Sequence, residues 1–494
     1  MTALENHGVI SEIILYTGNG CQSKAYTQDE ITASVGSKPL NVKYRCYMRK
    51  NPYYILRKIG DEFYLVPYGQ AIENKGHTVH VSEVAAFLWD EMDVHRDIKA
   101  LAGRLAEEYE VMPEDADSLE DDVRGLLKHL EMEDMVFKED KAPTCAEQDS
   151  YCAEGGKRAL NNNEEIGLAE RDEERLPFRA IIVAGVTIRF FGIEKYFSEH
   201  FLPFCVDIKD CDTAKADDGK DICIYVTEEN PPKTGHLPIV LHGMSVVLFD
   251  VGDYYVMRSI ETPEMREGHF WKDGSKAVLY MDPDARLPEF VKRFRFEQME
   301  ESGQKKEWNT LEEVQADFAE SVFHAVRHAF LLRAQCLDMY VIHSASILYN
   351  GQAWLFSALS GTGKSTHTNI WHKLYGTPFI DGDLNLLAFE DGKPVVKGIP
   401  WCGTSGIFTT ETYPLGGIIL LARDKKNHVE ELSFQNQVLG IQMRFISPKW
   451  NAKQTSESLE FAERIAKSAR IARLYCNMED EAAEVCRAWI DAGN

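Results

Sequence analysis

Residues 358–366 read Ala-Leu-Ser-Gly-Thr-Gly-Lys-Ser-Thr, and this stretch decides the fold of the C-terminal part of the chain. It follows an apolar, strand-like run at Ala353–Phe356 and precedes a segment that can form a helix. A glycine-rich turn between a strand and a helix directs several backbone N–H groups to one point, where an anion binds. The sequence therefore predicts a phosphate-binding loop that serves a nucleotide.

The positions of this loop have distinct expected tasks. Gly361 and Gly363 allow the backbone to approach the phosphates closely. Lys364 can reach the outer phosphates, and the hydroxyl of Ser365 can hold Mg²⁺. We expect the nucleotide to contact the run Ser360, Gly361, Thr362, Gly363, Lys364, Ser365 and Thr366. The general pattern would place glycine at position 358, where this chain has alanine.

Three other segments carry side chains that could serve the same site. Phe379–Asp383 ends an apolar strand with carboxylates that suit a phosphate-bound Mg²⁺, although an ordinary Asp-Gly turn is the alternative. His343 lies at a strand end and could contact a phosphate, move a proton or serve as a hydrogen-bonded structural histidine. Gly398–Gly403 could line a pocket or form a packed corner, with Cys402 as packing or pocket wall.

Composition limits the class of protein. The chain has 494 residues, of which 44% are hydrophobic and 27% charged, which is typical of several soluble globular domains. A net charge of −25 argues against a nucleic-acid partner. No apolar run reaches the ~18 residues that a membrane span needs, and the N-terminus lacks the basic start of a signal peptide. With eleven cysteines and no Cys-x-x-Cys pair, we expect a cytoplasmic protein with reduced thiols and no membrane partner.

Shifts in pattern along the chain divide it into five parts. We expect an α/β multidomain fold with the following segments: an unassigned extension at 1–50, a compact domain at 51–137, a linker at 138–176, a β-rich middle domain at 177–305 and a nucleotide-binding domain at 306–494. The linker is charged and contains Gly-Gly and Asn-Asn-Asn runs, which bury too little apolar surface to offset the entropy of ordering.

Local patterns predict the elements of the compact domain. Strands are expected at Tyr54–Arg57 and Glu62–Pro67 around a Gly-Asp turn, and a third at His77–Val81. Helices are expected at Glu83–Met92, which Ser82 caps, then at Asp97–Tyr109 and at about Ala116–Leu130. Elsewhere, Val9–Tyr16 could be a strand, and a capping box at Thr310 and Glu313 predicts the start of a long helix that includes Val314 and Phe330.

The C-terminal motifs resemble a known family when taken in order. They are His343-Ser-Ala-Ser346, the phosphate loop, Asp381-Gly-Asp383 and Ile399-Pro-Trp-Cys-Gly403. Together they look like the HPr kinase/phosphorylase-like family, and the loop is similar to that of phosphoenolpyruvate carboxykinases. The resemblance implies a phosphate-loop α/β kinase fold and ATP-dependent phosphorylation of a serine hydroxyl. It also implies catalytic roles for His343, Lys364 and Asp383, with Ser365 and Asp383 as Mg²⁺ ligands. Asp381 is a further candidate catalytic residue.

One position departs from that family. The family often carries two adjacent aspartates, the first acting as general base, whereas this chain has Gly382 before Asp383. The base is therefore open between Asp381 and His343, or the chain binds ATP without efficient turnover. The basic glycine-rich signature of true HPr kinases is also missing around Val396–Ile399, which argues against HPr as the substrate.

Residues 53–137 resemble the winged-helix-like PqqD domain, the peptide-recognition element of ribosomal peptide natural-product pathways. Tyr54–Arg57, Phe63–Pro67, Val79–Trp89 and Tyr109–Val111 carry this resemblance. In that family a leader peptide adds as a strand beside the third strand and lies against the third helix. The implied contacts here are Thr78, Val79, His80, Val81, Val123 and Leu127. A domain used only for oligomerisation is the alternative, while four acids on the third helix disfavour DNA binding.

The two resemblances together predict a kinase that phosphorylates a Ser or Thr hydroxyl of a ribosomally made precursor peptide after leader capture. Partner modifying enzymes are also implied, and so is a homo-oligomer, because the kinase family often assembles as hexamers. Two other functions stay open at this point. One is a non-catalytic, ATP-gated peptide chaperone for a partner enzyme, and the other is a small-molecule kinase.

Overall fold

The structure is a computed structural model. It describes residues 14–17, 20–22, 47–112, 116–139, 176–208, 220–233, 237–302, 310–358 and 363–493. The chain forms two compact units. The first contains Met1–Lys157 and Lys449–Ser456, and the second contains Arg158–Pro448 and Glu457–Asn494. The predicted linker at 138–176 lies largely outside the described residues.

The first unit combines a five-stranded sheet with helices. The strands of the whole unit are β1 (Ile14–Thr17), β2 (Gly20–Gln22), β3 (Tyr47–Lys50), β4 (Tyr54–Ile59), β5 (Glu62–Pro67), β6 (Thr78–Val81) and β7 (Val136–Glu139). Its helices before β7 are α1 (Gln70–Glu73), α2 (Glu83–Glu91), α3 (Ile98–Glu108) and α4 (Ala116–Met132). The sheet order is β2-β1-β6-β5-β4, and β3 pairs with β7 separately.

The helices of this unit follow the local patterns closely. The side chain of Ser82 accepts a hydrogen bond from the backbone N–H of Ala85, which is the predicted cap of α2. Leu101 and Leu105 lie one helical turn apart on α3, and both are buried in the core. Val79 of β6 belongs to the same core. Hydrophobic periodicity therefore fixes which face of each helix packs inward.

The β-rich middle segment forms one mixed sheet of nine strands, which confirms the prediction of its class. The strands are β8 (Arg179–Val183), β9 (Val186–Gly192), β10 (Cys205–Val206), β11 (Ile222–Thr227), β12 (Ile239–His242), β13 (Val246–Asp250), β14 (Tyr254–Ser259), β15 (Met265–Trp271) and β16 (Lys276–Met281). Their order is β10-β8-β9-β11-β16-β15-β14-β13-β12. Helix α5 (Glu289–Ser302) follows the sheet.

The C-terminal segment builds a second sheet within the same unit. Helix α6 (Phe318–Cys336) precedes it, and the strands are β17 (Tyr340–Tyr349), β18 (Gln352–Ser357), β19 (Phe379–Asp381), β20 (Leu384–Glu390), β21 (Lys393–Lys397), β22 (Thr412–Arg423), β23 (His428–Glu431) and β24 (Arg470–Cys476). Its other helices are α7 (Lys364–Tyr375), α8 (Phe434–Gln442), α9 (Ala452–Ser468) and α10 (Asp480–Asp491). The order is β18-β17-β20-β21-β22-β24-β23, with β19 on β17 and an added β18–β22 pairing.

The predicted start of the long helix was wrong. The capping box of Thr310 and Glu313 is present, but it closes a single 3₁₀ turn, and Val314 lies outside the long helix. Helix α6 begins at Phe318, because the side chain of Asp317 accepts a hydrogen bond from the N–H of Glu320 and caps a new start. A capping box specifies a helix start without specifying the length of the helix. None of the helices in the described ranges has the length and apolar composition to cross a bilayer.

Candidate functional site

The candidate site lies at one edge of the C-terminal sheet. Strands β18, β22 and β24 are parallel, so their carboxyl ends, Ser357, Arg423 and Cys476, share this edge. Helix α7 begins at Lys364, soon after β18 ends. Open sheets with parallel strands bind ligands at this edge, because loops and helix starts converge there.

The start of α7 fits an anion. Gly363 is its N-cap, with φ at 108°, a left-handed conformation that side chains disfavour, and no side chain caps the helix. The backbone N–H groups of the first turn and the helix dipole therefore favour a negative charge at this point. Ser365 and Thr366 are exposed in this first turn. The predicted contacts Ser360, Gly361 and Thr362 lie outside the described residues.

His343, Lys364 and Asp383 meet beside this helix start. The Nε2 atom of His343 lies 3.0 Å from Asp383 Oδ1 and 2.7 Å from Lys364 Nζ. One imidazole nitrogen cannot donate a hydrogen bond to Asp383 and accept one from Lys364 at the same time. The nitrogen is therefore shared between a carboxylate and an ammonium, and a ligand that attracts Lys364 would release it.

The charges of this group depend on one another. Burial alone would raise the pKa of Asp383, but the hydrogen bond from His343 and the charges of His343, Lys364 and Arg327 hold it below its usual value. Burial lowers the pKa of Lys364, while the charge of Asp383 opposes this change. Asp383 is thus an ionised carboxylate at neutral pH, suited to a cation or a proton.

Asp381 has a different environment, although it is only two residues away. Its side chain is buried, and its Oδ1 atom accepts hydrogen bonds from the N–H groups of Asp383 and Leu384 at 2.8 and 2.9 Å. The Oδ2 atom is buried and has no partner among the described residues. Burial raises the pKa of Asp381 well above its usual value, despite the two backbone donors. This carboxyl group shapes the turn and favours its protonated form.

Packing explains the glycine at position 382. A Cβ atom placed there would lie closer than 3.0 Å to both Oγ and Cβ of Ser405. Ser405 is held in place because its hydroxyl donates to the carbonyl of Cys402 at 2.7 Å and accepts from the N–H of Ile407 at 3.1 Å. The turn after residue 402 therefore occupies the space that a side chain at 382 would need. This contact joins residues far apart in sequence, so the local pattern did not predict it.

The Gly398–Gly403 turn is a packed corner, which decides between the two readings of its sequence. Trp401 is buried, and its indole N–H donates to the carbonyl of Phe323 at 3.0 Å. Its ring also packs against Phe330 of α6. Cys402 is buried as well, and burial raises its pKa to about 11, which leaves the thiol unreactive.

The serines after His343 are structural. The hydroxyl of Ser346 donates to Asn385 Oδ1 at 2.6 Å, and the Asn385 amide donates to the carbonyl of Ser344 at 2.6 Å. The hydroxyl of Ser357 donates to the carbonyl of His343 at 2.6 Å. These buried bonds lock β17 against β18 and β20, and so they fix the position of the His343 ring.

A cleft of about 420 Å³ lies beside the start of α7. It is lined by residues from α7 and from the chain after β22 and β24: Gly363, Thr366, His367, Ile370, Arg423, Asp424, Lys425, Cys476, Asn477 and Met478. The indole N–H of Trp371 donates to His367 Nε2 at 3.1 Å, which places the proton of the neutral ring on Nδ1. Burial lowers the pKa of His367 to about 4, and Nδ1 has no partner among the described residues.

A larger cleft, of about 520 Å³, runs along α9 and the end of α6. Its lining includes Asp338, Glu457, Glu460 and Glu463 against two cationic side chains. Excess negative charge repels phosphates, so the smaller cleft suits a nucleotide better.

The donor set at the site fits Mg²⁺ in part. Asp383 and Ser365 offer the oxygen ligands that Mg²⁺ prefers. Within the described ranges no three His, Cys, Asp or Glu side chains are grouped to hold a metal ion. Mg²⁺ at this site would therefore depend on nucleotide oxygens for most of its ligands, as is common for phosphate-bound Mg²⁺.

One charged side chain near the site was missed from the sequence. Arg327 of α6 is one of the charges that lower the pKa of Asp383, and its Nη2 atom lies 2.9 Å from Glu261 Oε2. It belongs to no motif, so the helical periodicity of α6 is the only sequence signal that bears on its position.

The predicted peptide-binding residues occupy two settings in the first unit. Thr78, Val79 and His80 lie on β6, which pairs with β5 on one side and with β1 on the other. Val123 and Leu127 of α4 are buried in the core at 2% and 1% exposure. Both side chains contribute to the core of the domain, and their contact with a peptide stays a prediction.

Comparison with known proteins gives two findings. Residues 71–136 match the family model of Coenzyme PQQ synthesis protein D (PqqD), so this part of the chain is similar to that family. Among solved structures, the chain is similar to the Hpr(Ser) kinase/phosphatase from Coxiella burnetii, with 10% identity over 31% of this chain and 99% of that chain and a TM-score of 0.19. No curated protein matches the chain. The kinase resemblance of the C-terminal motifs stays a prediction.

Proposed function

We propose that this protein is an ATP-dependent kinase that phosphorylates a Ser or Thr hydroxyl of a ribosomally made precursor peptide after its PqqD domain captures the leader. The observation that carries the proposal is the group of Lys364 Nζ, His343 Nε2 and Asp383 Oδ1 beside a glycine-capped helix start. It combines a cation for phosphate, a proton acceptor and an ionised carboxylate, the parts that phosphoryl transfer requires.

The geometry supports a defined role for each of these residues. When ATP binds, Lys364 exchanges His343 for a phosphate oxygen, and the Oδ1 atom of Asp383 would bind a Mg²⁺ ion. Both changes are needed to free the lone pair of His343 Nε2 for a proton, because each neighbour contacts that nitrogen. Mg²⁺, held by Ser365 and Asp383, would neutralise phosphate charge during transfer. The acceptor oxygen bonds to the γ-phosphorus as the bond to the ADP oxygen breaks, and the hydroxyl proton passes to His343 Nε2. The imidazolium that forms is stabilised by the negative charge of the neighbouring Asp383 carboxylate.

Asp381 is the less suitable base. It is buried, its raised pKa favours the protonated form, and its Oδ1 atom already holds two backbone N–H groups. We assign it the task of shaping the turn that presents Asp383. His343 is therefore the proton acceptor in this proposal.

The smaller cleft is the proposed place for the base and ribose of the nucleotide. It adjoins the helix start, and Arg423 and Lys425 bring positive charge to its rim. The buried Nδ1–H of His367 lacks a partner in the described part of the chain and would be satisfied by an acceptor on a ligand.

The test is a transfer reaction. Candidate precursors are short reading frames beside the gene, and each is incubated with the protein, ATP and Mg²⁺ and then weighed by mass spectrometry. We expect a product heavier by one phosphate and none with Lys364→Ala. An unchanged mass with a precursor that binds the PqqD domain would rule out the kinase function.

A second function, an ATP-gated peptide chaperone, is favoured by one observation. Gly382 stands where the related kinases often carry an aspartate, and Ser405 fills the space of that side chain. Such a chaperone would bind ATP and precursor without phosphate transfer and would stimulate a separate modifying enzyme. Measuring both activities on the same precursor distinguishes the two functions.

A further inference from the structure

The β6 edge of the PqqD domain is already covered by the chain itself. Strand β1 runs antiparallel to β6, with Ile14 opposite His80, Leu15 opposite Val79 and Tyr16 opposite Thr78. On its other side β6 pairs with β5, where Val79 is opposite Leu65. Without β1, β6 would be an edge strand with a row of unpaired N–H and C=O groups.

The covering segment is a small hairpin. Strand β2 pairs with β1 in antiparallel register, with Thr17 opposite Gly20 and Leu15 opposite Gln22. The three paired positions on β6 make β1 a short strand, and short pairings have few hydrogen bonds to break.

We propose that strands β1 and β2, Ile14–Thr17 and Gly20–Gln22, are a built-in occupant of the peptide-docking edge, which an incoming apolar, extended peptide must displace. This inference rests on the proposed peptide capture, and it adds a competing strand within the same chain. β-strand addition relies on main-chain hydrogen bonds, so β1 and a peptide cannot use β6 at the same time. The occupant also keeps an exposed edge from pairing with other chains.

Because β1 belongs to the same chain as β6, it competes strongly with an incoming peptide for that strand. A segment on the same chain competes as if it were present at about millimolar concentration. A leader that binds an open edge would therefore bind the covered edge about tenfold or more weakly. Selectivity follows, because only a peptide that pairs better than Ile14–Thr17 would open the edge.

The test uses the segment itself as the probe, so it does not depend on a known precursor. A labelled peptide of residues 10–22, with Cys21→Ser, is titrated into the full chain and into its Leu15→Pro variant. Strand β1 lies between β6 and β2, so each backbone N–H of β1 faces one of these two strands. Proline has no backbone N–H, so Leu15→Pro removes one hydrogen-bond donor from β1. The matched control is the same peptide with Leu15→Pro.

We expect the peptide to bind the Leu15→Pro chain about tenfold or more tightly than the full chain, and the proline peptide to bind neither. Amide exchange at residues 78–80 should rise in the variant and fall again with the peptide. Equal binding to both chains, or no binding to the variant, would overturn the proposal. If Leu15→Pro loses cooperative unfolding, a chain without residues 1–22 replaces it under the same criteria. None of these outcomes depends on kinase activity, so failure of the kinase proposal is detected separately.

Discussion

His343 Nε2 lies 3.0 Å from Asp383 Oδ1, and this pair joins two strands of the sheet at the start of helix α7. The partners come from β17 and from the turn between β19 and β20, so backbone pairing of these strands sets their distance. Ser344 N donates to the carbonyl of Asp383 at 2.8 Å, which fixes the turn directly against β17. Backbone pairing therefore brings the two residues side by side.

If His343 is the proton acceptor, as we propose, replacing it by asparagine should lower the rate of phosphate transfer by about 10²–10⁴-fold. Nucleotide affinity should change little, since Lys364 stays available for phosphate. The rate and the ATP affinity are measured separately, by single-turnover transfer and by titration. His428→Asn, at an exposed position of the same unit, is the control and should behave as the parent. A transfer rate within threefold of the parent would exclude His343 as the base.

Replacing Asp381 by asparagine should change how stability depends on pH. The folded-state pKa of Asp381 is raised above the unfolded value of about 4. Its contribution to stability is fully present below that value and is lost as pH rises through the folded pKa. Asparagine does not titrate, so the variant should gain stability over the parent as pH increases. Each ~1 kcal/mol gained in the free energy of unfolding should raise the Tm by about 2–4 °C.

Thermal unfolding of the Asp381→Asn variant and the parent from pH 5 to pH 8 checks this sign. Phosphate transfer should persist in the variant, because Asp381 is assigned to the turn and not to proton transfer. Loss of transfer with unchanged stability would instead identify Asp381 as the base.

Introducing the missing aspartate at position 382 should destabilise the protein by about 1–3 kcal/mol, because the new side chain overlaps Ser405. Combining Gly382→Asp with Ser405→Gly removes the overlapping atoms and should recover part of the loss. Gly103→Ala is the control, since no atom lies within 4 Å of its Cβ position. Denaturant unfolding of the parent, of Gly382→Asp, of Ser405→Gly and of the double variant gives the coupling energy between the two positions, and additive effects would contradict the packing explanation.

Much of the first unit could be predicted because its signals are local. The predicted helix Glu83–Met92 ends one residue from the observed end, and the strand at Glu62–Pro67 has its predicted bounds. Periodicity and capping act over a few residues, so the sequence contains them fully. The pairing of β1 with β6 was not predicted, because a short strand pattern does not identify its partner.

In the candidate site, too, the local motifs could be predicted from the sequence, whereas the contacts between distant segments could not. The motifs identify His343, Lys364 and Asp383 as candidate site residues. The contact of His343 Nε2 with both Lys364 and Asp383 depends on the register of the sheet, which the motifs do not contain. The contact of position 382 with Ser405 also joins distant segments. Such contacts depend on tertiary packing, which no local pattern specifies.

Replacing Lys364 by alanine should weaken ATP binding by about tenfold or more, because a partly buried cation that contacts phosphate is lost. Lys373→Ala on the same helix is the matched control. That lysine is exposed and pairs with Asp480 at 2.9 Å, and surface pairs of this kind contribute about 0–1 kcal/mol. Titration with Mg²⁺-ATP measures both variants, and equal affinities would show that Lys364 does not contact the nucleotide.

The dependence on the leader separates a peptide kinase from a small-molecule kinase. If the PqqD domain captures the leader, the acceptor is tethered near the site, and its local concentration rises to about millimolar. The full precursor should then be phosphorylated with kcat/KM about 10²-fold or more above that of the core peptide without its leader. Adding the leader as a separate peptide should not restore this advantage, because it would occupy the domain without tethering the core. A small-molecule kinase would show no preference for either peptide, and the same comparison made with Lys364→Ala sets the background rate for each.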